Sequence, residues 1–98
     1  MTYEIEFSED SERQLATFSS RDRRHLLDSI ETQLSHEPTS PTKHRKLLRP
    51  NPVAAWELRV GDFRVFYNVE QQRILVIIVA VGRKEHNELT IDGKVIPL

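Results

Sequence analysis

The chain contains no cysteine, which excludes a disulfide framework and a thiolate metal site and gives no reason to expect an oxidising compartment. It also lacks a long apolar run. The longest, Ile74–Val81, is eight residues, against the roughly 18 that a membrane-spanning helix needs. The opening stretch MTYEIEFSED has neither a basic segment nor an apolar one, so no secretory signal is expected and the reading is a cytoplasmic protein without a membrane partner. Glycine is scarce, with three in 98 residues, and no glycine-rich phosphate loop can be drawn from them. Neither a Ser-His-Asp order nor a metal-ligand spacing stands out, so no metal and no cofactor is expected.

What is present is a short, mixed-charge chain. Its 98 residues, 38% hydrophobic and 30% charged, fit one folded domain over residues 1–98 with about two-thirds of its unfolded surface buried. The formal net charge of −1 conceals an asymmetry. Residues 1–37 hold 4 Lys/Arg and 9 Asp/Glu, for −5, and residues 38–98 hold 10 and 6, for +4. An acidic first third and a basic remainder suit two faces with different partners.

Thr2–Phe7 alternates Tyr3, Ile5 and Phe7 with Glu4 and Glu6, a strand with one wet face at or near a sheet edge. Ser8, followed by Glu9 and Asp10, begins a helix expected to reach about Phe18. Ser19 or Ser20 caps a second, in which Leu26, Leu27, Ile30 and Leu34 recur at helical spacing. Pro38 and Pro41 close this helical hairpin. The segment Lys43–Pro52 carries Lys43, Arg45, Lys46 and Arg49 with His44 among them, and its prolines confine it to a loop or a short edge segment.

Trp56, Leu58 and Val60 alternate with Glu57 and Arg59, Gly61–Asp62 signals a tight turn, and Phe63–Val69 returns with Phe63, Val65, Tyr67 and Val69 on one side and Arg64, Phe66 and Asn68 on the other. Tyr3, Phe7, Trp56, Phe63 and Phe66 follow strand periodicity and are expected in the core. After a turn at Glu70–Gln72, Ile74–Val81 is apolar on both faces, which marks a central strand, expected to end at Gly82. Asp92–Gly93 signals a further short hairpin. The expected fold is therefore α+β: an N-terminal strand, a helical hairpin, then an antiparallel meander sheet with the helices packed on one face. The other face has fewer covering elements and is expected to be wet.

The stretch WELRVGDFRVFYNVE, the later ILVIIVAVGRKE and the RPNP before the hairpin resemble the RelE/ParE family of bacterial toxins over nearly the whole chain. That resemblance implies a toxin made with a small antitoxin that wraps and silences it, and that meets operator DNA only through the antitoxin. It leaves the target open: some members cut mRNA on the ribosome, others inhibit DNA gyrase without catalysis, and an inactive relative would bind its antitoxin alone.

For the nuclease reading, cleavage needs a base for the 2′-hydroxyl, cations for the charge growing on the phosphate, and an acid for the leaving oxygen. In a meander Arg59, Arg64 and the end of the neighbouring strand with Arg83 and Lys84 are adjacent, so Arg59, Arg64 and Lys84 could converge on one phosphate. The resemblance adds that Arg64 and the basic position after Gly82 match phosphate-binding residues of the nuclease members. Arg64, Lys84, Arg59 and Arg83 are therefore candidates to hold phosphate, with Lys43, Arg45, Lys46 and Arg49 as RNA contacts. His86 is the first candidate proton carrier, because imidazole titrates near neutrality; Glu57, Glu85 and His44 follow. The chain departs from the best-known nucleases, which have lysines where it has Ala55 and Glu57 and a tyrosine where it has Thr90. Other members use a glutamate and a histidine, parts that Glu57 and His86 would take.

Overall fold

The computed structural model describes residues 2–97. In chain order the elements are β1 (Glu4–Phe7), α1 (Glu9–Ala16), α2 (Ser20–Leu34), β2 (Arg45–Leu47), β3 (Trp56–Val60), β4 (Phe63–Glu70), β5 (Leu75–Glu85), β6 (Glu88–Ile91) and β7 (Lys94–Val95). Both helices begin where a serine satisfies amides that the helix itself leaves free. The Ser8 hydroxyl oxygen accepts from the Ser11 amide at 3.1 Å, and Ser19 accepts from the Asp22 amide at 3.1 Å. Glu9, Asp10 and Glu12 add negative charge in the first turn of α1, where the helix dipole favours it. α1 stops at Ala16 rather than at Phe18, with Thr17 as its C-cap. In α2 the buried stripe is Leu26, Ile30 and Leu34; Leu27, expected on it, lies on the flank and is 40% exposed.

Seven strands form one sheet, in the order β2-β3-β4-β5-β6-β7 with antiparallel neighbours. β1 lies off this path and pairs in parallel with the first half of β5, Glu4 opposite Leu75 through Phe7 opposite Ile78. β6 pairs with the second half of β5. β5 thus has β4 along one side and β1 followed by β6 along the other, which is why it is apolar on both faces. The turns match their residues. Gly61 has φ +57, and Asp92 and Gly93 have φ +54 and +74, the left-handed values that tight hairpins require and that glycine and aspartate tolerate.

The helices cover one face of the sheet. Trp56, Leu58, Val65, Tyr67, Val76 and Ile78 from that face bury against Leu15, Leu26, Ile30 and Leu34, each such side chain contributing about 1.5–3 kcal/mol. Trp56 and Tyr67 stack at 6.1 Å, and the Tyr67 hydroxyl donates to the Pro38 carbonyl at 2.7 Å; burial pushes its phenol well above the usual range. Phe63 joins this core, while Tyr3 and Phe7 pack against its margin. The opposite face is not wholly wet, as the sequence suggested. A second cluster of Ala54, Phe66, Ala80, Leu89 and Ile91 lies there, with Val53 and Ile96 packed against it.

Two features of β5 depart from the sequence reading. Between β4 and β5 the register shifts: Phe66 pairs with Ala80 but Tyr67 with Ile78, so Val79 is an extra, bulged residue. The side chains in the helix-side core are Val76 and Ile78 before the bulge and Val81 after it, a switch from even to odd positions. The N-cap of α1 and the helix itself meet the backbone at the bulge and just past it. The Ser8 hydroxyl donates to the Val79 carbonyl at 2.8 Å, and the Gln14 side-chain oxygen accepts from the Val81 amide at 2.7 Å. Second, the strand does not end at Gly82 but runs on to Glu85. Gly82 is needed for closeness instead: a Cβ there would lie 2.6 Å from the Thr90 carbonyl oxygen of β6 and 2.7 Å from an Ile91 side-chain carbon.

Candidate functional site

Residues directly opposite on antiparallel strands share a face. Arg59 is opposite Arg64, and Arg64 is opposite Gly82. Arg45 pairs with Leu58, and the Arg59 amide donates to the His44 carbonyl at 2.8 Å, which sets His44 opposite Arg59. His44, just before β2, therefore lies in one row with Arg59 of β3 and Arg64 of β4, on the face away from the helices. In the next row Lys46 is opposite Glu57. Lys84, two residues beyond Gly82, returns to this face.

Two depressions lie along these rows. One, of about 250 Å³, is walled by Glu57, Arg64, Lys84 and Leu89, with Val95 and Ile96 of the C-terminal segment. The other, of about 350 Å³, is walled by Lys43, His44, Lys46, Glu57 and Arg59 among others. Glu57 is common to both.

Arg64 is the most unusual side chain on this face. It is only 8% exposed. Its Nη1 donates to the carbonyls of Gly61 at 2.8 Å and Phe63 at 2.9 Å, which ties it to the β3–β4 turn. Its Nε is buried and has no hydrogen-bond partner among the described residues; Glu57 Oε1 stands 3.7 Å away, an ion pair but too far for a hydrogen bond. Burial pulls the guanidinium below its ordinary value, Arg59 pulls in the same direction, and Glu57 and Asp62 oppose them. A buried charged donor without a partner costs on the order of 1–3 kcal/mol or more. An anionic oxygen entering the cleft would remove that penalty.

The remaining sequence-derived candidates divide by face. Arg83 is opposite Phe63 and so points to the helices, away from Arg59, Arg64 and Lys84, which corrects the expectation that it binds phosphate with them. Its guanidinium lies 4.7 Å from the centre of the Phe63 ring and 6.0 Å from that of Phe18, and it pairs loosely with Asp22 at 3.7 Å and Glu85 at 3.5 Å. Glu85 is drawn to this side with it. Thr90 is opposite Arg83, hence also away from the Arg64 cleft. These residues line a separate groove of about 800 Å³ between the helices and the β5–β6 end of the sheet. His86 sits in the turn between β5 and β6 with φ +52, next to Asn87 at φ +66. It is exposed and walls neither depression. In the basic segment, Arg45 donates to the Ser40 carbonyl at 2.9 Å and the Gln33 carbonyl at 2.7 Å, so it anchors β2 to the end of α2. Arg49 lies elsewhere, in a hollow with Pro50 and Asn68. Lys43 and Lys46 remain at the site. The sequence named His44 and Lys46 without giving them a face; alternation across His44–Arg45–Lys46 carried that signal, but only β2's pairing with β3 made it readable.

Fold and site together define a small α+β protein with a helical hairpin on one side of an antiparallel sheet and a cation-lined cleft around a buried arginine on the other. Residues 5–88 match the family model described as the ParE toxin of type II toxin–antitoxin systems. The chain therefore belongs to that family, within the wider RelE/ParE group of toxins. Its fold is similar to that in the RelBE2 toxin–antitoxin complex of Mycobacterium tuberculosis, with a TM-score of 0.75 and 23% identity over 86% of this chain and 93% of that one. It is similar also to the archaeal RelE–RelB complex of Pyrococcus horikoshii, with a TM-score of 0.67 and 23% identity over 83% and 93%. The isolated RelE toxin of E. coli gives a TM-score of 0.64 and 22% identity over 86% of each chain. No curated protein matches the chain. No helix among the described residues is long and apolar enough to cross a membrane.

Proposed function

We propose that this toxin cuts mRNA on the ribosome and that a cognate antitoxin silences it. The observation that carries the reading is Arg64: a buried guanidinium whose Nε has no hydrogen-bond partner among the described residues, in a cleft that also holds Glu57 and Lys84. Phosphate is the ligand that such a donor set fits, because it accepts several charged hydrogen bonds at once. Arg59 and Arg64 would bind the scissile phosphate and stabilise the charge that grows on it, with Lys84 beside them. Glu57, between the two depressions, would take the 2′-hydroxyl proton. Lys43 and Lys46 would hold the RNA backbone farther along the face without reading its sequence. Solved structures of RelE-like proteins in complex with RelB support an antitoxin partner here, and operator DNA would be met through that partner.

A second reading, inhibition of DNA gyrase by binding, is favoured by one observation. Neither tyrosine of the chain is available to the cleft, since Tyr67 is buried against Pro38 and Tyr3 donates to Gln71 at 2.7 Å. The two readings separate in paired assays with purified toxin. A translation reaction is expected to yield mRNA cut within the coding sequence, and Glu57→Gln is expected to slow the cutting by about 100-fold or more. A supercoiling reaction with gyrase is expected to proceed normally. Intact mRNA together with arrested gyrase would establish the second reading instead.

A further inference from the structure

We infer that His44, and not His86, is the acid that protonates the leaving oxygen. The inference rests on the RNA-cleavage reading and adds to it the group that the reading lacks. Cleavage by Glu57 requires a partner acid on the same face, near the same phosphate. The chain has four histidines, and the fold separates them. His25 lies on α2 and His36 just beyond it, in the helix layer on the far side of the sheet. His86 is held in a left-handed turn conformation at the tip of the β5–β6 hairpin, outside both depressions. His44 is on the cleft face, in one row with Arg59 and Arg64, and shares a depression with Glu57. On adjacent antiparallel strands, residues offset by two on one face lie about 7–8 Å apart, within reach of long side chains. His44, just before β2 and opposite Arg59, stands diagonally from Glu57, and the two wall one depression of about 350 Å³ in which a phosphate can be met from both sides.

The charged groups around His44 are Lys43, Lys46, Glu57 and Arg59; Arg45, its neighbour in the chain, is turned toward Gln33 and Ser40. In the step, Glu57 removes the 2′-hydroxyl proton as the bond from O2′ to phosphorus forms. The bond from phosphorus to O5′ breaks, and the imidazolium of His44 gives its proton to O5′. The products are a 2′,3′-cyclic phosphate and a 5′-hydroxyl end. Exchange with water then returns the proton from Glu57 and re-protonates His44.

The test compares His44→Gln, His44→Ala and His86→Gln in a translation reaction, scoring cut mRNA across pH. His44 is exposed, and unchanged melting curves are expected for its variants. His44→Gln is expected to lower kcat by about 100-fold or more and to abolish the fall in rate on the alkaline side, where an acid loses its proton. Free imidazole is expected to restore part of the rate of His44→Ala, an effect that a loss of packing or of RNA binding would not show. His86→Gln is expected to stay within about twofold of the unmodified protein. Full activity in His44→Gln would overturn the assignment. So would a slowed variant that keeps its alkaline limb and ignores imidazole, or the larger loss appearing in His86→Gln. If the unmodified toxin leaves mRNA intact, the cleavage reading itself fails and the role of His44 falls with it, a result distinct from each of the others.

Discussion

Arg64 and Asp92 show how a single charged side chain takes its role from what surrounds it. Arg64 is buried, fixed to the turn by Nη1, and has no hydrogen-bond partner for Nε among the described residues; alternation with Phe63 and Val65 puts it on the other side of β4 but carries no sign that it is buried. Asp92 has the reverse history. It reads as a turn residue, and it is one, but its carboxylate also accepts from Arg13 Nη1 at 2.6 Å and Gln14 Nε2 at 2.9 Å. Arg13, then Gln14, hold its carboxyl below the usual aspartate value. The folded protein therefore binds this proton less tightly than the unfolded chain does. The resulting stability is present above the unfolded value, about 3.9, and is lost as pH falls through the lowered one. Asp92→Asn keeps a residue suited to positive φ while removing the charge. It is expected to be less stable at pH 7 and to lose less on acidification, as urea midpoints between pH 2 and 7 would report. An unchanged acid slope would show that the Arg13 pair contributes nothing.

At the scale of the element, β5 decides the site. Its bulge at Val79 moves every later side chain to the opposite face, so that Lys84 meets Glu57 and Arg64 while Arg83 meets Phe63. Without the bulge the parity would put Lys84 under the helices. Gly82 then lets β6 lie close enough to complete the cleft wall at Leu89. Gly82→Ala would set a methyl 2.6 Å from the Thr90 carbonyl, a backbone atom that cannot rotate away. A loss of about 1–3 kcal/mol is expected, as for other overpacked sites, and each kcal/mol corresponds to a fall of about 4–8 °C in melting temperature for a domain of this size. Calorimetry would measure it, and a variant melting with the parent would show that β6 moves freely. The bulge could not be read from Ile74–Val81, because a run apolar on both faces has no alternation whose phase could change.

For the whole molecule, the uneven charge of the sequence becomes sidedness. The acidic residues 1–37 build β1 and the helices, whereas Lys43, Lys46, Arg59, Arg64 and Lys84 collect at the other face. RNA bound there would release counterions, so affinity for an uncleavable single-stranded RNA is expected to fall steeply with salt. Lys84→Ala is expected to reduce the slope of log K against log salt by about 0.7, the share of one phosphate contact on a single strand. A slope unchanged in the variant would remove Lys84 from the RNA path.

The sequence by itself determined the strand–helix–helix–meander order, the inward faces of β3 and β4 and the Gly61 and Asp92 turns, because alternation, capping serines and turn residues act over a few neighbouring positions. It also carried the family resemblance. Only the tertiary structure decided that β1 joins β5 in parallel, that Arg45 anchors β2 while His44 and Lys46 face the cleft, and that Lys84 and Arg83 part company. Those outcomes depend on which strands pair and where a register slips, and such choices are made by contacts between residues distant in the chain, as when Ser8 and Gln14 bind the backbone of Val79 and Val81.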